Sequence, residues 1–144
     1  FKKEVEFILN SFYSIYTSVI ASRLGVRYIN QIKLEDANPF DWSELIRKDL
    51  YSALEFFKDK TKLSRVLGII ETDEEDHRIR FTFGIVNSLY PNKIVNKEFI
   101  LDYDCYTQSD IEKIHILQRF EEFYNKIKNL FESSIEDGLR EKMK

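Results

Sequence analysis

The 144 residues include a single cysteine, two prolines, four glycines and one methionine. Cys105 alone can form no internal disulfide, so packing and hydrogen bonding must hold the chain, and a reducing cytoplasm is the expected compartment. Two histidines, His77 and His115, have no second histidine or cysteine near them in sequence, which excludes the usual zinc-ligand spacings. Both are expected at the surface. Glycine and proline are too sparse for a flexible linker or a low-complexity segment, and no repeat is visible. No apolar run is long enough to span a bilayer, and neither a signal peptide nor a lipidation motif occurs. Walker loops, dinucleotide glycine fingerprints and nucleophile elbows are missing as well. Basic surplus is lacking too: 22 Lys and Arg against 25 Asp and Glu give a net charge of -3, which disfavours a general nucleic-acid binder.

What is present is enough for one ordinary domain over residues 1–144. Hydrophobic residues at 43% can build a core of useful size without metal or disulfide support. Val5, Ile8, Leu9, Phe12 and Tyr16 recur at helical spacing and predict an opening amphipathic helix. From Ile20 the period changes to two: Leu24, Val26, Tyr28, Ile32 and Leu34 oppose Arg23, Arg27, Gln31 and Lys33, the pattern of a half-buried strand. Asp41 with Glu44 reads as a capping box for a second helix with the stripe Trp42, Leu45, Ile46, Leu50, Ala53, Leu54 and Phe57. Three strands are expected near Leu63–Thr72, Arg78–Asn87 and Asn96–Tyr106, the first two joined by the acidic turn Asp73-Glu74-Glu75-Asp76. Ser109 with Glu112 reads as another capping box, opening a helix that runs to about Glu141 or breaks near Ser133-Ser134. The expected fold class is therefore α+β: a twisted antiparallel sheet of about four strands with helices on one face and a long C-terminal helix.

Three spaced segments carry a resemblance. Gly25-Val26-Arg27-Tyr28-Ile29-Asn30 is similar to the G-L-R-Y-I-N signature of a conserved-protein family scattered sporadically through prokaryotes. Ile100-Leu101-Asp102-Tyr103-Asp104 resembles its I-L-D-I-D strand, and Phe131-Glu132, Ile135 and Leu139-Arg140 resemble its terminal F-E-x-x-I-T-x-x-L-R helix. The chain departs from that pattern at Gln31, Tyr124 and Glu136, where Arg, His and Thr are usual. The resemblance implies that this chain, which starts at Phe1, is the C-terminal part of a longer one. It implies no activity.

Asp102 and Asp104 share a strand face by their period-two spacing, a geometry that suits Mg²⁺ or Mn²⁺, or alternatively an ion pair with Arg23 and Arg27 on a neighbouring strand. Arg27 and Asn30 are candidate binding residues, because Arg forks onto phosphate and Asn pairs with amide groups, although Arg27 and Tyr28 project to opposite sides. Gly25 suits either a bulge or a close approach by another element. Cys105, on the apolar face of its strand, reads as an inert thiol. Phe12, Tyr16, Leu130, Phe131, Ile135 and Leu139 are candidate interface residues, because a helix as long as the last one overhangs a small sheet. The expectation is a non-enzymatic interaction or oligomerisation module that uses no cofactor, with a second copy or another protein as its partner. The alternative is a metal-dependent phosphodiester- or nucleotide-processing enzyme centred on Asp102 and Asp104.

Overall fold

A computed structural model describes residues 2–35 and 38–144. Its elements are α1 (Lys2–Ile15), β1 (Gly25–Leu34), β2 (Val66–Asp73), β3 (Arg78–Ile85), β4 (Lys97–Tyr106), α2 (Lys113–Ser134) and α3 (Asp137–Lys142). The four strands form one sheet in the order β1-β4-β3-β2, and every neighbouring pair is antiparallel. Alternation sorts the side chains as the sequence pattern requires. Val26, Phe99, Leu101, Tyr103, Cys105, Ile79, Phe81 and Ile85 point to one face, where α2 crosses β1 and β4 and buries Phe120, Phe123 and Ile127. Ile116 packs instead with Tyr13 and Ile111 in a second, smaller cluster. No helix among the described residues is long and apolar enough to cross a membrane.

Tyr103 sits at the centre of this core. Its ring stacks on Phe81 with centroids 4.4 Å apart, and its hydroxyl donates to Ser134 Oγ at 2.8 Å. Burial pushes its phenol up to about 12. Gly84 is required where it stands: its φ is +130°, and an added Cβ would lie 2.2 Å from the Val66 carbonyl oxygen. Gly25, by contrast, occupies a regular ladder position opposite Tyr106 and marks no bulge.

The segment after Asp41 corrects the expectation of a second α-helix. It folds instead into turns and short 3₁₀ stretches at Lys48–Leu50, Ser52–Phe56 and Lys60–Lys62. Asp41 accepts from the Ser43 amide and hydroxyl, closing only a local turn. The backbone groups that a helix would use are spent elsewhere: Arg47 N–H donates to the Ser134 carbonyl and Glu136 N–H to the Leu45 carbonyl, around a bridge between Ile46 and Ile135. Trp42, Leu45, Ile46 and Leu54 are buried all the same, because turns of nearly three residues reproduce helical spacing; Ala53 and Phe57 are exposed.

The same bridge breaks the last helix. α2 ends at Ser134, Ile135 is extended at φ -113° and ψ 152°, and α3 restarts at Asp137. Arg140 then caps the end of α2, donating to the Glu132 carbonyl at 2.6 Å and to its carboxylate at 3.1 Å. The start also differs: Ile111 N–H donates to the Ala21 carbonyl, so α2 begins at Lys113 and the Ser109–Glu112 capping box does not form. Ile135 and Leu139 are consequently buried, and Leu130 and Phe131 half-buried against the core. At Ile135 and Leu139 part of the cover expected from a second chain comes from their own, where Leu45 and Arg47 hydrogen bond across the Ile46–Ile135 bridge and Glu44 packs against Gly138.

Candidate interaction surfaces

The open face of the sheet, opposite the helices, is built of charge rows. β1 contributes Arg27 and Lys33, β4 Glu98, Asp102 and Asp104, β3 Arg78 and Arg80, and β2 Glu71 and Asp73. Sign therefore alternates from strand to strand across the order β1-β4-β3-β2. The Arg27 guanidinium forks onto Asp102, with Nε 2.9 Å from Oδ1 and Nη2 2.6 Å from Oδ2. That hydrogen bond, more than the accompanying charge, raises the Arg27 guanidinium further above its ordinary value. Asp104 stands between Arg27 and Arg80 in the ladder and lies 3.9 Å from Arg23 Nη2. Arg78 reaches Asp73 at 2.9 Å, and Arg80 reaches Glu71 at 3.6 Å.

Glu98, at the far end of this face, is buried. Burial acts to raise its carboxyl, but the Ser88 amide and hydroxyl, together with Lys33, outweigh that and hold it below the usual carboxylate range. Among the described residues, no three His, Cys, Asp or Glu side chains converge as a metal would require. Asn30 projects to the helix side, where its amide donates to the Leu101 carbonyl at 3.3 Å, so it shares no contact surface with Arg27. Burial pushes the Cys105 thiol up to about 12.

His77 is the clearest site residue that sequence reasoning misplaced. It is buried rather than at the surface, with its ring 5.4 Å from that of Phe123. Nδ1 lies 2.5 Å from Asp76 Oδ1 and Nε2 lies 2.6 Å from Lys126 Nζ, a geometry that fits Nδ1–H donating and Nε2 accepting. Lys126 also bonds Glu74, and Arg119 bonds Asp76. Hydrogen bonding from Lys126 lowers the Glu74 carboxyl, and hydrogen bonding from His77 lowers that of Asp76. The cluster straps the β2–β3 turn to α2. An acidic turn facing a helix that carries Arg119 and Lys126 was the available signal, but only the fold brings the two together.

Among the described residues, apolar surfaces remain open. Between the first half of β1 and α2 lies a groove of about 790 Å³ lined by Gly25, Tyr28, Phe120, Tyr124 and the Lys2–Glu121 pair. The Tyr28 and Tyr124 rings meet there edge to face, 6.0 Å apart. On α1, Tyr13 is buried, while Ile8, Phe12 and Ile15 face outward with Tyr16 just beyond. Among the described residues the sheet edges are also open: β1 pairs with β4 alone, and β2 with β3 alone. β2 presents Leu67, Ile69 and Ile70, each more than two-fifths exposed. Compared with protein-family models, with curated proteins and with solved structures, the chain matches none.

Proposed function

We propose that this domain is a non-enzymatic protein-interaction module that associates with further copies of itself. The observation carrying this reading is the pair of long, uncovered edge strands, one of which exposes Leu67, Ile69 and Ile70. Unpaired edge amides and carbonyls beside exposed apolar side chains form a template for another strand, and monomeric proteins normally blunt such edges. Phe12 and Tyr16, the interface candidates that stay on the surface, support the same reading. A reducing cytoplasm fits the lone buried thiol. Kinship with the sporadic prokaryotic family is part of the proposal; it is supported by the way the first two motif segments pair as β1 and β4 while the third closes the core through Ile135 and Leu139.

The metal-dependent alternative on Asp102 and Asp104 has weaker support, because both Asp102 oxygens already accept from Arg27. Light scattering over a concentration series tests the assembly reading. The parent mass should rise with concentration, and Ile69→Lys should shift the chain toward monomer while melting as the parent does at dilutions where the parent too is monomeric. A parent that stays monomeric at every concentration refutes it.

A further inference from the structure

The two edge strands carry opposite charge. β1 holds Arg27 and Lys33 and no acid, while β2 holds Glu71 and Asp73 and no base. Strand direction alternates across the sheet as strictly as sign does. A second copy set beside the first in the same orientation therefore brings its β2 antiparallel to β1, and a basic row meets an acidic one as it does inside the sheet. Pairing β1 with β1, or β2 with β2, would instead place rows of one sign side by side.

We propose that copies of this chain assemble head to tail, β1 of one pairing with β2 of the next, with Arg27 opposite Glu71, Ile29 opposite Ile69 and Tyr28 opposite Ile70. The inference rests on the self-association reading and specifies its surface. In this register the two half-exposed isoleucines, Ile29 and Ile69, cover one another on the open face. On the helix side Asn30 meets Gly68 and Ile32 meets Val66. Ile70, 48% exposed in the single chain, enters beside Tyr28 at the mouth of the groove lined by Phe120 and Tyr124. A slip of two residues one way keeps a charge match, Arg27 with Asp73, but sets Ile29 against Glu71, and a slip the other way keeps an apolar match, Ile29 with Leu67, but sets Arg27 against Ile69; only the proposed register keeps both. The contact is heterologous, so no two-fold closes it, and the ordinary twist of about 20–25° between strands winds the continued sheet into an open helical assembly.

Cysteine cross-linking reads the register directly, with buried Cys105 as the silent background. Ile29→Cys and Ile69→Cys chains of distinguishable mass are mixed and oxidised, while light scattering follows the parent. The expected result is a mixed disulfide in several-fold excess over either homodimer, and a ladder of higher species from the doubly substituted chain. Adding Glu71→Lys to the Ile69→Cys chain should remove most of the mixed product. Predominance of the Ile29→Cys homodimer, or products in statistical proportion while the parent still assembles, would overturn the register and leave self-association standing. A parent that is monomeric throughout would overturn both.

Discussion

Removing either partner of the Tyr103–Ser134 hydrogen bond should have unequal consequences, and the inequality follows from what each leaves behind. Ser134 Oγ accepts from the Tyr103 hydroxyl at 2.8 Å and itself donates to the Leu130 carbonyl at 2.7 Å. Tyr103→Phe therefore leaves Ser134 with one partner, and its cost is the net value of one hydrogen bond, about 1 kcal/mol. That corresponds to a fall in melting temperature of roughly 2–4 °C for a domain near this size. Ser134→Ala instead strands a phenol that is 0% exposed with nothing to donate to. An unpaired buried donor costs about 1–3 kcal/mol, against which alanine at the end of a helix returns up to ~0.5 kcal/mol. Ser134→Ala should thus be the worse of the two, and Tyr103→Phe introduced into it should restore part of the loss. Urea unfolding of the four proteins of this double-mutant cycle measures the coupling, expected near 1 kcal/mol. Alkaline titration followed at the tyrosinate band supplies a second reading: one tyrosine should resist ionisation to about 12. Equal costs for the two single variants, with additivity in the double, would show that the hydroxyl is not held as described.

Asp102→Asn should cost no more than about 1 kcal/mol, since Arg27 is half exposed and solvent screens the pair, and Mg²⁺ or Mn²⁺ should leave the parent's melting temperature unmoved; a metal-dependent rise that vanishes in Asp102→Asn/Asp104→Asn would restore the enzymatic reading. Asp73, Glu74 and Asp76 all have carboxyls lowered by hydrogen bonds, from Arg78, Lys126 and His77 respectively, so the unfolded chain binds more protons than the folded one as pH falls. Their stabilisation is complete above the ordinary carboxylate value of about 4 and is lost as pH drops through the lower folded values. Lys126→Met should flatten that acid limb in a melting-temperature profile, and an unchanged profile would count against the strap.

The α+β class, the four strands and the polar and apolar faces of β1 and β4 are legible in the sequence, because period-two alternation is a local property that pairing preserves. The same holds for α1 and for the core stripe of α2, set by 3.6-residue spacing. Local pattern also put Asp102 on the face of Arg27, but only the strand order made them neighbours. β4, last in sequence among the strands, lies second in the sheet, between β1 and β3.

Tertiary structure alone decided the fate of Trp42–Phe57 and of the last helix. Both have helical periodicity, yet the bridge between Ile46 and Ile135 takes backbone groups that helices would have used, and neither segment carries a sign of the other in its own residues. His77 was illegible for a related reason: a histidine among acids in a turn looks solvated until a distant helix brings Phe123 and Lys126 over it. The alternating charge rows show the division most clearly. Each strand's sign is written in its residues, but the order in which signs follow one another, and hence which edge can meet which, exists only once long-range pairing has set the strands side by side.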